Sequence, residues 1–280
     1  MTLEIVSASK CFGGTQYVCA HESAVTRCRM QFSAYVPPQA TDRTVPVLTW
    51  LSGLTCTEEN FTVKAAVQRH AAEHGLLVVA PDTSPRGANV ADDEAWDLGA
   101  GAGFYVNATQ APWSAHYRMY EYVVDELPVV VSAGLPADMS RSGLFGHSMG
   151  GHGTLVIALR NPDRYRSVSV LAPICAPIQT GLGERIFGAY LGADRADWRA
   201  YDATELVKDG RNCAPILIDQ GDEDEFFKAG AMKIDAFRAA CEDAGQAITV
   251  RMQQGYDHGY FFVQTFMGDH VDYHAKALNG

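Results

Sequence analysis

Positive charge is scarce in this chain. Its 280 residues carry 22 Lys and Arg against 33 Asp and Glu, a formal net charge of −11 at pH 7 with histidine neutral. Nucleic-acid phosphates and anionic membrane surfaces would repel such a molecule, so neither is expected as a partner. Long apolar runs are missing too: none approaches the roughly 20 residues needed to cross a bilayer. The seven cysteines are an odd number without a C-x-x-C pair. That argues against a disulfide framework and fits free thiols in a reducing cytosol. The first ten residues hold no basic-then-apolar run, so no secretory leader is expected, and the sequons at Asn60 and Asn107 read as accidental. No linker, charge block, low-complexity tract or internal repeat divides the chain. Its length is expected to form one domain, residues 1–280.

What is present alternates between strand and helix patterns. Over residues 28–36, Met30, Phe32, Ala34 and Val36 share one face while Arg29, Gln31, Ser33 and Tyr35 share the other. This is the period of a half-buried antiparallel strand, with a partner expected around residues 16–20. Short apolar runs at 45–51, 76–80, 167–171, 215–218 and 248–252 read as strands covered on both faces. Helical spacing lies between them. Tyr120, Val123, Val124 and Leu127 form one stripe, expected to stop at Pro128; Ile234, Phe237, Ala240 and Cys241 form another, with Gly245 as its stop. Strands alternating with helices imply crossover connections. The expected fold class is therefore α/β, a mostly parallel central sheet with helices on both faces and an antiparallel N-terminal edge.

Gly146-His147-Ser148-Met149-Gly150 is a G-x-S-x-G pentapeptide between an apolar run ending at Phe145 and a helix-forming run over 152–160. In a strand–turn–helix setting the serine sits on a sharp, exposed turn. Active-site groups in such sheets gather beyond the C-terminal strand ends, and two more candidates fall there. One is the acidic loop 219–225; the other is Gly255-Tyr256-Asp257-His258-Gly259. The order Ser, acid, His is that of α/β-hydrolases. A serine hydroxyl needs a neutral imidazole to accept its proton, and the imidazole needs a carboxylate to fix its tautomer. Ser148 and His258 fill the first two roles. Asp219, Asp222, Glu223, Asp224 and Glu225 all compete for the third, the surplus acids being read as a solvated loop face. The oxyanion requires preorganised N–H groups, expected from Met149 and, in the loop 51–55, from Leu54.

Other motifs carry less. His147 and His152 flank the serine without the placement of a base, although either could line a pocket. Gly99-Ala100-Gly101-Ala102-Gly103 lacks the spacing of a phosphate loop. His270 and His274 are four apart, but Val271 stands where a zinc motif has glutamate, and a solvated C-terminal helix is expected instead. Cys56 follows the oxyanion loop, either as a buried small residue or as a thiol at a pocket mouth.

Longer segments add a resemblance. Residues 51–61 (LSGLTCTEENF), 80–87 (APDTSPRG), 101–106 (GAGFYV) and 146–153 (GHSMGGHG) resemble the S-formylglutathione hydrolase family, also called esterase D. So do Ile218-Asp219-Gln220-Gly221 with Asp224, and Gln254 to His258, where Gln254 stands in place of the family's glutamate. The resemblance spans about residues 11–278. It implies the α/β-hydrolase fold, a triad of Ser148, Asp224 and His258, and oxyanion donors at the backbone of Leu54 and Met149. Trp96 and Tyr105 are implied as pocket walls, beside Cys56 and His147. The implied reaction is hydrolysis of S-formylglutathione to formate and glutathione, a step of formaldehyde detoxification, in an acyl pocket small enough to admit acetyl esters and reject long chains. No cofactor or metal is implied; a cytoplasmic location and a homodimer are. Lys64, Arg86 and Arg141 are candidate cations for the glutathione carboxylates, with nothing in the pattern to choose among them.

Overall fold

A computed structural model describes residues 2–280; Met1, the first residue of the expected domain, lies outside the described residues. The backbone builds one nine-stranded sheet in the order β1-β2-β3-β5-β4-β6-β7-β8-β9. Its strands are β1 (Glu4–Cys11), β2 (Gly14–Glu22), β3 (Arg29–Val36), β4 (Val45–Leu51), β5 (Leu77–Pro81), β6 (Ala137–His147), β7 (Ser167–Leu171), β8 (Ile216–Gly221) and β9 (Ile248–Gln253). β1, β2, β3 and β5 pair antiparallel; from β5 through β9 every pairing is parallel. The expected mixed sheet with an antiparallel N-terminal edge is thus observed.

Two apolar layers enclose the sheet, and strand alternation divides the side chains between them. In β4, Val45, Val47 and Leu51 enter one layer while Leu48 and Trp50 enter the other. Three helices close the Trp50 side: α1 (Glu58–Lys64), α2 (Val67–His74) and the C-terminal helix Tyr260–Asn279. The opposite side is closed by α3 (Leu127–Gly134), α4 (Met149–Arg160) and α5 (Ile234–Ala244); the C-terminal helix is α6. Burial on both sides explains why the inner strands read as continuous apolar runs.

Three features differ from expectation. β1 gave no signal because seven of its eight residues are exposed, so no hydrophobic face marks it. The helix over Tyr120 does not stop at Pro128. A proline ring clashes with the carbonyl four residues back in a regular α-helix. Here a π turn over Tyr122–Glu126, with Leu127 N–H reaching back to Tyr122 O, opens the ladder, and α3 continues to Gly134. Finally, α6 is not the solvated helix expected from His270 and His274. Both rings are fully buried and bonded to strand serines: His274 to Ser167 and Ser169 at 2.6 and 2.8 Å, and His270 to Ser169 at 2.7 Å.

Candidate active site

Strand β6 ends at His147 and α4 begins at Met149, which leaves Ser148 alone to turn the chain. Its φ of +57° with ψ of −119° lies where side chains are strained and persist only when the surroundings hold them. The turn is held by Ser148 N–H donating to Leu171 O at 3.0 Å and by the close seat of α4 on β4. A Cβ at Gly150 would fall 1.9 Å from Leu51 O, so only glycine permits that approach. The helix thereby starts against the C-terminal end of β4, beside the loop that follows it.

His258 lies in the loop between β9 and α6. Its Nε2 is 2.9 Å from Ser148 Oγ, and its Nδ1 is 2.6 Å from Asp224 Oδ2. Asp224 caps the short helix Glu225–Lys228 and is fully buried. Gln220 Nε2 donates to its Oδ2 at 2.9 Å, and the N–H groups of Phe226 and Phe227 donate to Oδ1 at 2.7 and 3.2 Å. Burial pulls this carboxyl upward, but the His258 hydrogen bond and charge, Gln220 and the Phe227 N–H outweigh it, leaving the group below the ordinary aspartate value. Asp224 therefore stays ionised and orients the ring.

The other acids of the loop divide. Glu223 and Glu225 are exposed and Asp222 half-buried. Asp219 is not part of a solvated face: it is completely enclosed and accepts from Arg251 Nε and Nη2, each at 2.6 Å. Its carboxylate reaches across to Arg251 on β9 and lies 3.4 Å from His270 Nε2 of α6.

Opposite Ser148 runs the loop after β4. A Cβ at Gly53 would sit 3.1 Å from Ser148 Cβ, so this loop lies directly against the hydroxyl. Among the described residues, no loop or cap hydrogen bond uses the N–H of Leu54 or Met149. Met149 opens a helix and has no intrahelical acceptor. The loop is braced from behind by the glycine run. Thr55 N–H donates to Gly101 O at 2.9 Å, and a Cβ at Gly101 would approach Thr55 Cα to 2.9 Å. The run is a buttress, and its close packing was the signal behind its composition. Tyr105 is corrected here as well. It is fully buried and donates from its hydroxyl to Ser52 O at 2.9 Å, so it supports the loop and forms no pocket wall.

Above Ser148 opens a pocket of about 330 Å³, lined by Leu54, Cys56, Trp96, His147, Ser148 and His258 among others. Trp96 stands at the mouth, 55% exposed. His147 packs its ring 4.6 Å from that of His258. Burial, and then the neighbouring His258, push His147 well below the usual histidine value. A neutral ring there would not oppose a positive charge on His258. Burial pushes the Cys56 thiol up, against the pull of Tyr260 at 3.8 Å and of Lys64. His152 is enclosed in α4, with Nε2 3.1 Å from Phe104 O, and burial lowers it to about 4; it does not reach the pocket. Sequence reasoning missed Phe226, whose ring meets His258 edge-on at 4.7 Å, and Tyr260. Each is two residues from a triad position, which was the available signal.

Among the described residues, no cluster of three or more His, Cys, Asp or Glu could hold a metal ion, and no helix is long and apolar enough to cross a membrane.

Comparison with known proteins agrees with this geometry. The Esterase family pattern matches residues 23–273. An S-formylglutathione hydrolase of Mus musculus is 53% identical, the match covering 100% of both chains. A solved S-formylglutathione hydrolase of Agrobacterium tumefaciens is 48% identical, covers 99% of this chain and 100% of its own, and superposes with a TM-score of 0.97. A fluorophosphonate-binding serine hydrolase of Staphylococcus aureus, 18% identical over 94% of this chain and 98% of its own with a TM-score of 0.73, shares the fold.

Proposed function

The chain belongs to the esterase family, with S-formylglutathione hydrolases as full-length relatives, and we infer from that membership and the site that it hydrolyses S-formylglutathione to formate and glutathione. The observation that carries the chemistry is the hydrogen-bonded chain from Ser148 Oγ through His258 to Asp224, at 2.9 and 2.6 Å.

In the proposed mechanism His258 Nε2 takes the Ser148 proton as Oγ attacks the formyl carbon. Asp224 stabilises the resulting imidazolium, and the N–H groups of Leu54 and Met149 receive the oxyanion. Collapse breaks the carbon–sulfur bond. The thiolate does not need a proton in the transition state as an amine would, and it then takes the imidazolium proton as it leaves, which returns His258 to its neutral form. A water molecule then attacks the formyl-serine, His258 takes the water proton, and formate departs as Ser148 is reprotonated. The family resemblance implies an acyl site that favours formyl and acetyl groups over longer chains, and the close approach of the Gly53 loop to Ser148 supports that reading.

Comparing kcat/KM for S-formylglutathione and for an acetyl aryl ester tests the assignment. A strong preference for the thioester is expected; a clear preference for the ester would make the protein a general short-chain carboxylesterase instead. A single domain over residues 1–280 is proposed on the one continuous sheet. A cytoplasmic location is proposed on the seven free cysteines, and a homodimer on the family resemblance.

A further inference from the structure

The pocket above Ser148 has an unusual electrostatic lining for a protein of net charge −11. No carboxylate lines it, and one residue with a fixed formal charge does: Lys64, a cation. The three cations left open by the sequence are separated by the fold. Arg141 pairs with Asp138 at 2.8 Å and stands six residues before the C-terminal end of β6, about 20 Å down the strand from the pocket. Arg86 is bound to the buried Asp82 at 2.8 Å and to Cys56 O at 3.2 Å, which pairs its charge and engages its Nε and Nη2. Near the same sheet edge, Lys228 pairs with Glu223 and Arg251 with Asp219 and Asp269. Among the described residues Lys64 has no acidic partner within 4.0 Å.

Its surroundings fix where that charge stands. Lys64 is exposed at the C-terminal end of α1, and its Nζ lies 5.6 Å from the centroid of the Tyr260 ring, itself a pocket wall. A cation over an aromatic face is held without being neutralised. The ammonium is near enough to the Cys56 wall to pull that thiol downward. Asn60, one turn earlier on the same face, also lines the pocket. Its Oδ1 is occupied by Thr57 N–H at 2.8 Å, while its Nδ2 donates to no protein group among the described residues. Two residues that line one side of an otherwise neutral, largely apolar cavity thus carry, among the described residues, an unpaired ammonium and an unused amide N–H₂.

We propose that Lys64, assisted by Asn60 Nδ2, receives a carboxylate of the glutathionyl group and is the residue that distinguishes S-formylglutathione from uncharged esters of similar acyl size. This rests on the thioester reading above. S-formylglutathione carries two carboxylates and one ammonium, a net negative charge, so approach to this protein as a whole is unfavourable. A local cation at the pocket wall offsets that repulsion where the substrate docks. The contact is made equally in the ground and transition states, so its loss is expected in KM with little change in kcat.

The test compares S-formylglutathione with its dimethyl ester, which keeps the thioester and the peptide but has no carboxylate. For Lys64→Gln, KM for S-formylglutathione is expected to rise roughly tenfold, the size of one charge-assisted hydrogen bond, while the dimethyl ester is affected far less. Lys64→Arg is expected to restore most of the loss. Added salt screens both the overall repulsion and the attraction to Lys64, so rising salt is expected to favour S-formylglutathione turnover less in the parent protein than in Lys64→Gln, which keeps only the repulsion. Equal effects of Lys64→Gln on both substrates, or no effect on either, would overturn the proposal. A parent protein that does not favour S-formylglutathione over an acetyl aryl ester would instead overturn the underlying function, so the two failures are distinguishable. Unchanged thermal unfolding of the variant guards against a trivial loss of fold.

Discussion

Two assemblies of serine, histidine and aspartate occupy this molecule. At the open sheet edge Ser148, His258 and Asp224 are linked at 2.9 and 2.6 Å. Beneath α6, Ser167, His274, Ser169 and His270 are linked at 2.6, 2.8 and 2.7 Å, with Asp219 Oδ2 3.4 Å from His270 Nε2. Residue types and distances are alike, yet the settings are opposite. Ser148 is on a strained turn at the floor of a pocket, whereas Ser167 and Ser169 sit buried in the regular strand β7. Beside Ser148, among the described residues, the N–H groups of Leu54 and Met149 make no loop or cap hydrogen bond, and they are the proposed oxyanion donors; strand pairing uses the N–H groups near Ser169. Asp224 is balanced by hydrogen bonds and His258, but Asp219 already answers to Arg251. Hydrogen-bond length therefore does not separate a reactive triad from a structural clamp. Access, backbone strain and unused donors do.

The largest effect that sharpens this comparison is at the open site. Ser148→Ala should lower kcat on the order of a million-fold and Asp224→Ala on the order of ten-thousand-fold, by the behaviour of other triads. Steady-state rates with S-formylglutathione check both, and full activity in either variant would remove that residue's role. At the buried site the expectation reverses. Ser169→Ala leaves two histidine nitrogens without a partner, so it should cost about 1–3 kcal/mol of stability with kcat nearly intact. Urea unfolding beside kinetics reads this out; abolished turnover in a stably folded variant would break the comparison.

Acid should next expose the buried histidines. Burial lowers His152 to about 4 and leaves His147 and His274 well below the usual value. Between about pH 6.5 and pH 4 the unfolded chain therefore binds more protons than the fold, and stability falls as pH falls. For His152 alone the loss is on the order of 2 kcal/mol by pH 5. Urea midpoints across this range should flatten in His152→Gln; an unchanged slope would count against the buried neutral ring. The smallest effect is at Cys56. Maleimide should slow turnover several-fold by crowding the pocket, and react faster as pH rises because burial raises the thiol. Undiminished turnover after confirmed modification would exclude this.

The sequence was most informative where chemistry and backbone constraint coincide. The pentapeptide, the order Ser, acid, His and the short apolar runs led to the sheet and to the three side chains that the fold brings within hydrogen-bonding distance. The choice of Asp224 among five acids needed the family resemblance, because burial of Asp219 depends on Arg251, a strand away. Tyr105 was misjudged, and the glycine run was left without a role, for a common reason. Both touch the oxyanion loop from behind, and a contact across 50 residues leaves no local period. β1 was invisible because both its faces meet solvent, and Pro128 misled because one π turn removes the clash that normally ends a helix. His270 and His274 looked solvated because the polar network receiving them belongs to another strand.

Fluorophosphonate labelling followed by peptide mass spectrometry tests the central claim most directly, since it reports which serine is a nucleophile. An adduct is expected on Ser148 in the folded protein and none on Ser167 or Ser169, with labelling strongly reduced by His258→Ala. No adduct on Ser148, or equal labelling of Ser169, would contradict it.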